Sequence, residues 1–153
     1  MDKLELKIPP VAVFIVALVL MNRLSHLFVF ASITLPLPAV VFAICFVLSG
    51  TVGLWGIHEF RKVQTTVNPT KPENASCVVD SGIYRYSRNP MYLGLLLLLF
   101  ATAYWQQNIL SFAIVFLFVW FMNRLQILPE ERVLERLFGE EYVDYKQRVR
   151  RWI

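Results

Sequence analysis

The sequence predicts an all-α, polytopic membrane protein with four transmembrane helices, a long cytoplasmic loop and a C-terminal amphipathic helix. Three observations carry this prediction. The 153 residues are 57% hydrophobic, above the ~45–50% usual for soluble domains, and the excess is gathered into long runs. The basic residues flank those runs rather than interrupt them. The last 25 or so residues are polar, yet carry apolar residues at helical spacing.

The first span is placed at residues 8–27. Lys3 and Lys7 precede it as in a signal peptide, but no small-residue cleavage site follows, so it is read as retained. Arg23 near its far end can snorkel to the interface. The second span, 36–57, contains no charge and meets the ~20 residues that a bilayer core requires. Gly50, Gly53 and Gly56 recur every third residue, which gives a smooth surface for close helix packing. The third span, 90–105, opens with Pro90, well suited to a first helical position, and is short, roughly 24 Å at 1.5 Å per residue. A turn at Gln106, Gln107 and Asn108 leads into the fourth span, 109–128, so these two form a helical hairpin.

Charge sets the orientation. With the N-terminus inside, only Arg23 of the fifteen Lys and Arg residues lies towards the outside, as the positive-inside rule asks. Four spans then return the C-terminus to the cytoplasm. The inside holds the loop 59–89 and the tail 129–153. In the tail Leu134, Phe138, Tyr142, Tyr145, Val149 and Trp152 step by fours and threes, one face of an amphipathic helix. That face suits a surface anchor on anionic lipid first, and a lid over a site second.

Several chemistries are excluded. The formal charge of +4 sits beside apolar runs, which points to lipid headgroups rather than nucleic acid. Cys45 and Cys77 make no C-x-x-C. His58-Glu59 is not followed by a second His, and no zinc motif, P-loop or nucleophile triad is present.

Two inner segments carry groups suited to chemistry. The loop ends in Gly82, Tyr84, Arg85, Tyr86, Arg88, Asn89, Pro90 and Tyr92: a tight backbone, aromatic faces, fixed donors, and a helix start whose free N–H groups can take an anion. At the inner end of the fourth span stand Asn123, Arg124, Gln126, Pro129, Glu130 and Glu131. Polar groups there are functional candidates, and the two acids can also cap the tail helix.

The run G-x-Y-R-x-S-R-N-P-M-Y-x-G (Gly82 to Gly94), followed by E-E-x-x-L-x-x-x-F-G-x-x-Y-x-x-Y (Glu130 to Tyr145), resembles the two signatures of the isoprenylcysteine carboxyl methyltransferase-type family of integral membrane methyltransferases. The order and the intervening hairpin match as well. The resemblance runs from about Thr65 to Trp152. It implies S-adenosylmethionine as cofactor, a pocket between loop and tail, and a lipophilic or lipidated methyl acceptor among membrane lipids. The positions matching the family's cofactor contacts are Ser76, Cys77, Val78, Val79, Tyr84, Asn89, Pro90, Met91, Tyr92 and Glu130.

Aromatic faces can hold a sulfonium cation, and a carboxylate such as Glu130 can accept from amine or ribose hydroxyls. Arg124 and Gln126 are the positions expected beside the acceptor. The sequence departs from the family twice: Asn89 stands where the family has His before Pro, and Gln126 aligns with an Arg that holds a substrate carboxylate. A lipid amine or a phenol therefore joins the carboxylate as a candidate acceptor. A membrane reductase of related helical arrangement using a nicotinamide cofactor, and a non-catalytic lipid-binding protein, are the competing readings.

Overall fold

The computed structural model describes residues 5–63 and 72–153. Lys3 and residues 64–71 of the predicted loop lie outside the described residues. The described residues form six α-helices: α1 Pro10–Leu27, α2 Pro38–Lys62, α3 Pro90–Gln106, α4 Ile109–Phe121, α5 Leu128–Phe138 and α6 Glu140–Arg148. No strand occurs among the described residues; an isolated bridge pairs Ser32 with Asn108.

Three helical stretches are long and apolar enough to cross a membrane: Pro10–Leu27, Pro38–Lys62 and the continuous Ile109–Phe138. The helix α3 is apolar but shorter, at 17 residues. Helix α1 starts on Pro10, whose missing donor costs nothing in a first turn. It buries Phe14, Ala17 and Met21, spaced three and four apart, while Val11, Ile15, Val16 and Val19 stay exposed. That distribution suits a helix with lipid on one side and protein on the other. The buried stripe joins Leu99 and Ala103 of α3 and Ile114 and Phe118 of α4 in one core.

Helix α2 outruns the predicted end at Ile57 by five residues, because Glu59 finds partners beyond it. It packs along α3 through small residues. A Cβ on Gly94 would lie 3.0 Å from the Ser49 carbonyl and 3.4 Å from the Gly53 Cα. Ser49 Oγ also donates to the Gly94 carbonyl at 2.7 Å. Gly56, where a Cβ would lie 3.1 Å from Met91 and 3.2 Å from Pro90, and Gly94 against the Gly53 backbone serve the close approach, whereas a Cβ on Gly50 or Gly53 itself would meet open space.

The sequence places a break at Pro129, but the chain does not break there. Residues Met122–Ile127 form a π-helical turn that joins α4 to α5. Proline lacks an N–H and so cannot donate four residues back, to the Leu125 carbonyl. That carbonyl accepts instead from the Leu6 N–H, at 3.1 Å. The carbonyl that the proline leaves without its helical donor is thereby satisfied from the segment before α1.

The tail corrects a second expectation. It is two helices rather than one, because Gly139 adopts φ +56 and ψ −128, a region that only glycine enters freely. After α6 the chain is extended at Val149. The predicted apolar face is real, but it is folded inward: Tyr142, Tyr145 and Val149 are buried against Val79 and Tyr84 of the loop. It covers protein, not lipid, and the favoured surface-anchor reading is overturned.

Candidate active site

A cavity lies between the loop and the two tail helices. Cys77, Val78 and Val79 form one wall, Tyr84, Asn89, Met91 and Tyr92 the floor, and Glu130, Leu134, Tyr142 and Tyr145 the far side. The loop reaches it through a 3-10 turn, Gly82–Arg85. Gly82 opens the turn at φ +55, a value that favours glycine. The turn buries the Tyr84 ring beside Phe60, with ring centroids 5.1 Å apart.

At the floor, the Tyr92 hydroxyl donates to Glu130 Oε2 at 3.0 Å. The Gln126 amide donates to the Tyr92 oxygen at 3.4 Å. The π turn thus delivers Gln126, one helix delivers Tyr92, and the next delivers Glu130. The Tyr84 hydroxyl is buried in the same lining with no hydrogen-bond partner among the described residues. An unpaired buried hydroxyl is costly, and a polar ligand in the cavity can satisfy it.

Burial pushes the phenols of Tyr84, Tyr142 and Tyr145 above the usual tyrosine range. They stay protonated at physiological pH, so they offer hydrogen bonds and ring faces rather than a base. His58 and His26 are exposed and outside the cavity. No cluster of His, Cys, Asp and Glu suited to a metal ion occurs among the described residues.

Behind the cavity the tail is latched by charge. Arg88 donates to Glu131 at 2.8 Å and to the Lys146 and Val149 carbonyls, each at 2.8 Å. Its guanidinium therefore caps the C-terminal end of α6, where positive charge is favoured. Arg151 donates to both Glu131 oxygens, at 3.1 and 2.7 Å. The Asn89 amide reaches the Arg151 carbonyl at 3.0 Å, and Tyr145 donates to the Tyr84 carbonyl at 2.8 Å. Trp152 closes the strap on Asn123, at 3.1 Å.

Of the expected contact positions, Cys77, Val78, Val79, Tyr84, Asn89, Met91, Tyr92 and Glu130 line this one cavity. Ser76 is exposed, and Pro90 is buried but packs towards α2 beside Gly56; neither lines it. Gln126 is buried beneath the floor, while Arg124 is exposed on the same turn. Both acids line the cavity: Glu130 accepts from Tyr92, while Glu131 is taken up by the latch. Arg88, read from sequence as a ligand donor, is committed to the tail. The pairing of Glu131 with Arg88 and with Arg151 was not foreseen: 43 residues separate the first pair and 20 the second, and no local pattern marks either.

The comparisons with known proteins agree with this geometry. The model of the phospholipid methyltransferase family matches residues 38–141. Protein-S-isoprenylcysteine O-methyltransferase of Saccharomyces cerevisiae is 33% identical over 94 residues, 60% of this chain and 37% of that enzyme. Methanethiol S-methyltransferase 1 of Bradyrhizobium diazoefficiens is 33% identical over 96 residues, 63% of this chain and 31% of its own. An uncharacterized protein of Haemophilus influenzae is 49% identical over 63 residues, which is 41% of this chain and all of that protein. The chain thus spans about a third of the length of these two named enzymes. No solved structure matches it. With the family match covering more than half of the chain, and with both signatures folded around one cavity, this integral membrane protein belongs to the phospholipid methyltransferase family.

Proposed function

We propose that the chain transfers a methyl group from S-adenosylmethionine to a lipophilic acceptor that reaches the site from the bilayer. The observation that carries this reading is the meeting of two spaces at Met91 and Tyr92. One is the cavity described above, which carries the polar groups of Tyr84, Arg88, Glu130 and Glu131. The other is an apolar groove of about 500 Å3 on the membrane-facing side, walled by Pro10 and Val11 of α1, by Gly53, Leu54 and Ile57 of α2, and by Gly94 and Leu95 of α3. A polar donor site and an apolar acceptor path that share two residues are what methyl transfer at a membrane requires.

The cofactor supplies an electrophilic methyl carried on a sulfonium. The residues present fit it. Tyr84, Tyr142 and Tyr145 give aromatic faces for a cation. Glu130 can accept from an amine or from ribose hydroxyls, and the unpaired Tyr84 hydroxyl is ready to bond a polar ligand. The remaining task is alignment and exclusion of water, which the latched tail serves.

Among the described residues the acceptor side carries no cation in its lining, and the position expected to hold a carboxylate is the neutral Gln126. An uncharged acceptor, such as a thiol, amine or phenol on an apolar body, fits this floor better than a carboxylate does. The reductase reading is less well supported. Among the described residues Arg88 is the one cation in the cavity lining, and it is already spent on Glu131 and two carbonyls, which leaves little there to hold a dinucleotide's phosphates. In the same reading α3 is the fourth span, buried on several sides by its neighbours, and both termini face the cytoplasm.

The test is calorimetric titration of detergent-purified protein with S-adenosylhomocysteine. We expect binding by the wild type and none by Glu130→Ala. Binding of NADPH with no binding of S-adenosylhomocysteine would overturn the assignment.

A further inference from the structure

The inner end of α2 holds a buried acid that the reading above does not use. Glu59 is 6% exposed and does not line the cavity. Its Oε2 accepts from Ser81 Oγ at 2.6 Å, and its Oε1 accepts from Trp55 Nε1 at 3.2 Å. The carboxylate lies directly on Gly82: a Cβ there would fall 2.4 Å from Glu59 Oε1. Glycine is therefore demanded twice at this position, by φ and by the acid.

The turn that Glu59 grips is the one that sets Tyr84. The Tyr84 N–H donates to the Ser81 carbonyl at 3.0 Å, and Phe60, next to Glu59 in sequence, packs on the Tyr84 ring. From the other side Tyr145 holds the Tyr84 carbonyl. A carboxylate at the C-terminal end of a helix opposes the helix dipole, and burying it costs more. Its two donors offset part of that cost: Trp55 belongs to the same helix, and Ser81 belongs to the loop.

We propose that Glu59 is a positioning residue for the donor site. It clamps the Ser81–Gly82 turn and thereby fixes the Tyr84 ring and hydroxyl in the cavity wall. Glutamine can replace it, since its oxygen still accepts from Trp55 and the Ser81 hydroxyl can rotate to accept from its amide. Leucine cannot. This inference rests on the cavity being the donor site.

The experiment is titration of S-adenosylhomocysteine into the wild type, Glu59→Gln, Glu59→Leu, Tyr84→Ala and the Glu59→Leu/Tyr84→Ala double variant, with thermal unfolding of each followed in parallel. Glu59→Leu is expected to weaken binding roughly tenfold, as small misplacements of a contacting group do. Glu59→Gln should stay within about threefold of the wild type, given its conserved hydrogen bonds. In the Tyr84→Ala background Glu59→Leu should add no further loss, because the clamp acts through that ring. A loss that adds in full would show general damage to the fold and overturn the proposal, as would full affinity in a folded Glu59→Leu protein. Absence of binding by the wild type would instead sink the donor-site reading itself, and this inference with it.

Discussion

The two ends of the helix bundle, called inner where the cavity lies and outer at the opposite end, are closed by different chemistry. At the outer end, neutral side chains bond mostly to backbone: Asn108 Nδ2 to the Phe28 carbonyl at 3.0 Å, Gln107 Nε2 to Leu35 at 2.8 Å, and the Tyr104 hydroxyl to Pro36 at 2.8 Å. At the inner end, the closure runs through Arg88, Glu131 and Arg151, with Glu131 only 4% exposed. Neutral bonds to carbonyls each contribute modestly and nearly independently. Buried charges hold only when every partner is present. The outer end is therefore a set of separable ties, and the inner end a single cooperative latch beside the candidate site.

This contrast can be tested by breaking each end. The largest effect is expected for Glu131→Ala, which leaves Arg88 buried without its charge partner. A loss of about 3–5 kcal/mol is the usual cost of such a break, and urea unfolding in micelles would measure it. The same variant should release the tail, seen as faster proteolysis after Gly139 and lost S-adenosylhomocysteine binding. A smaller effect is expected midway along the bundle for Gly94→Ala. Its new methyl meets the Ser49 carbonyl at 3.0 Å, and overpacking of this kind costs about 1–3 kcal/mol. The smallest belongs to the outer end. Asn108 caps α4 by accepting from the Leu110 N–H at 3.0 Å, so Asn108→Ala should cost about 0.5–2 kcal/mol and leave ligand affinity unchanged. Equal losses of affinity from Asn108→Ala and Glu131→Ala would refute the separation of the two ends.

The apolar runs and the Pro90 start of α3 were legible in the sequence, since a bilayer core and a missing N–H leave plain marks; the Pro10 and Pro38 starts of α1 and α2 fell two residues inside the predicted spans. The gathering of Tyr84, Tyr92 and Glu130 in one lining was expected only through the resemblance of two segments to the family's signatures. What was not legible depends on contacts between distant segments. Periodicity shows that Tyr142 and Tyr145 share a face with Leu134, but not that Gly139 turns that face onto the loop. Composition marks Arg88 as a donor; only the fold shows that its acceptors are Glu131 and the end of α6. Pro129 reads as a helix start, and nothing local foretells that Leu6 compensates for it.

The π turn at Met122–Ile127 has one more consequence. Such a turn accommodates a single extra residue within a helix. Each residue in an α-helix advances the direction of its side chain by about 100°. Losing one residue here would swing everything downstream by that angle, carrying Glu130 off the cavity and bringing a neighbour towards it. Comparisons across relatives at this point should therefore be made by helical direction rather than by column. The counterpart of Gln126 in another chain is whichever residue reaches the hydroxyl of the tyrosine matching Tyr92, whatever its place in the count.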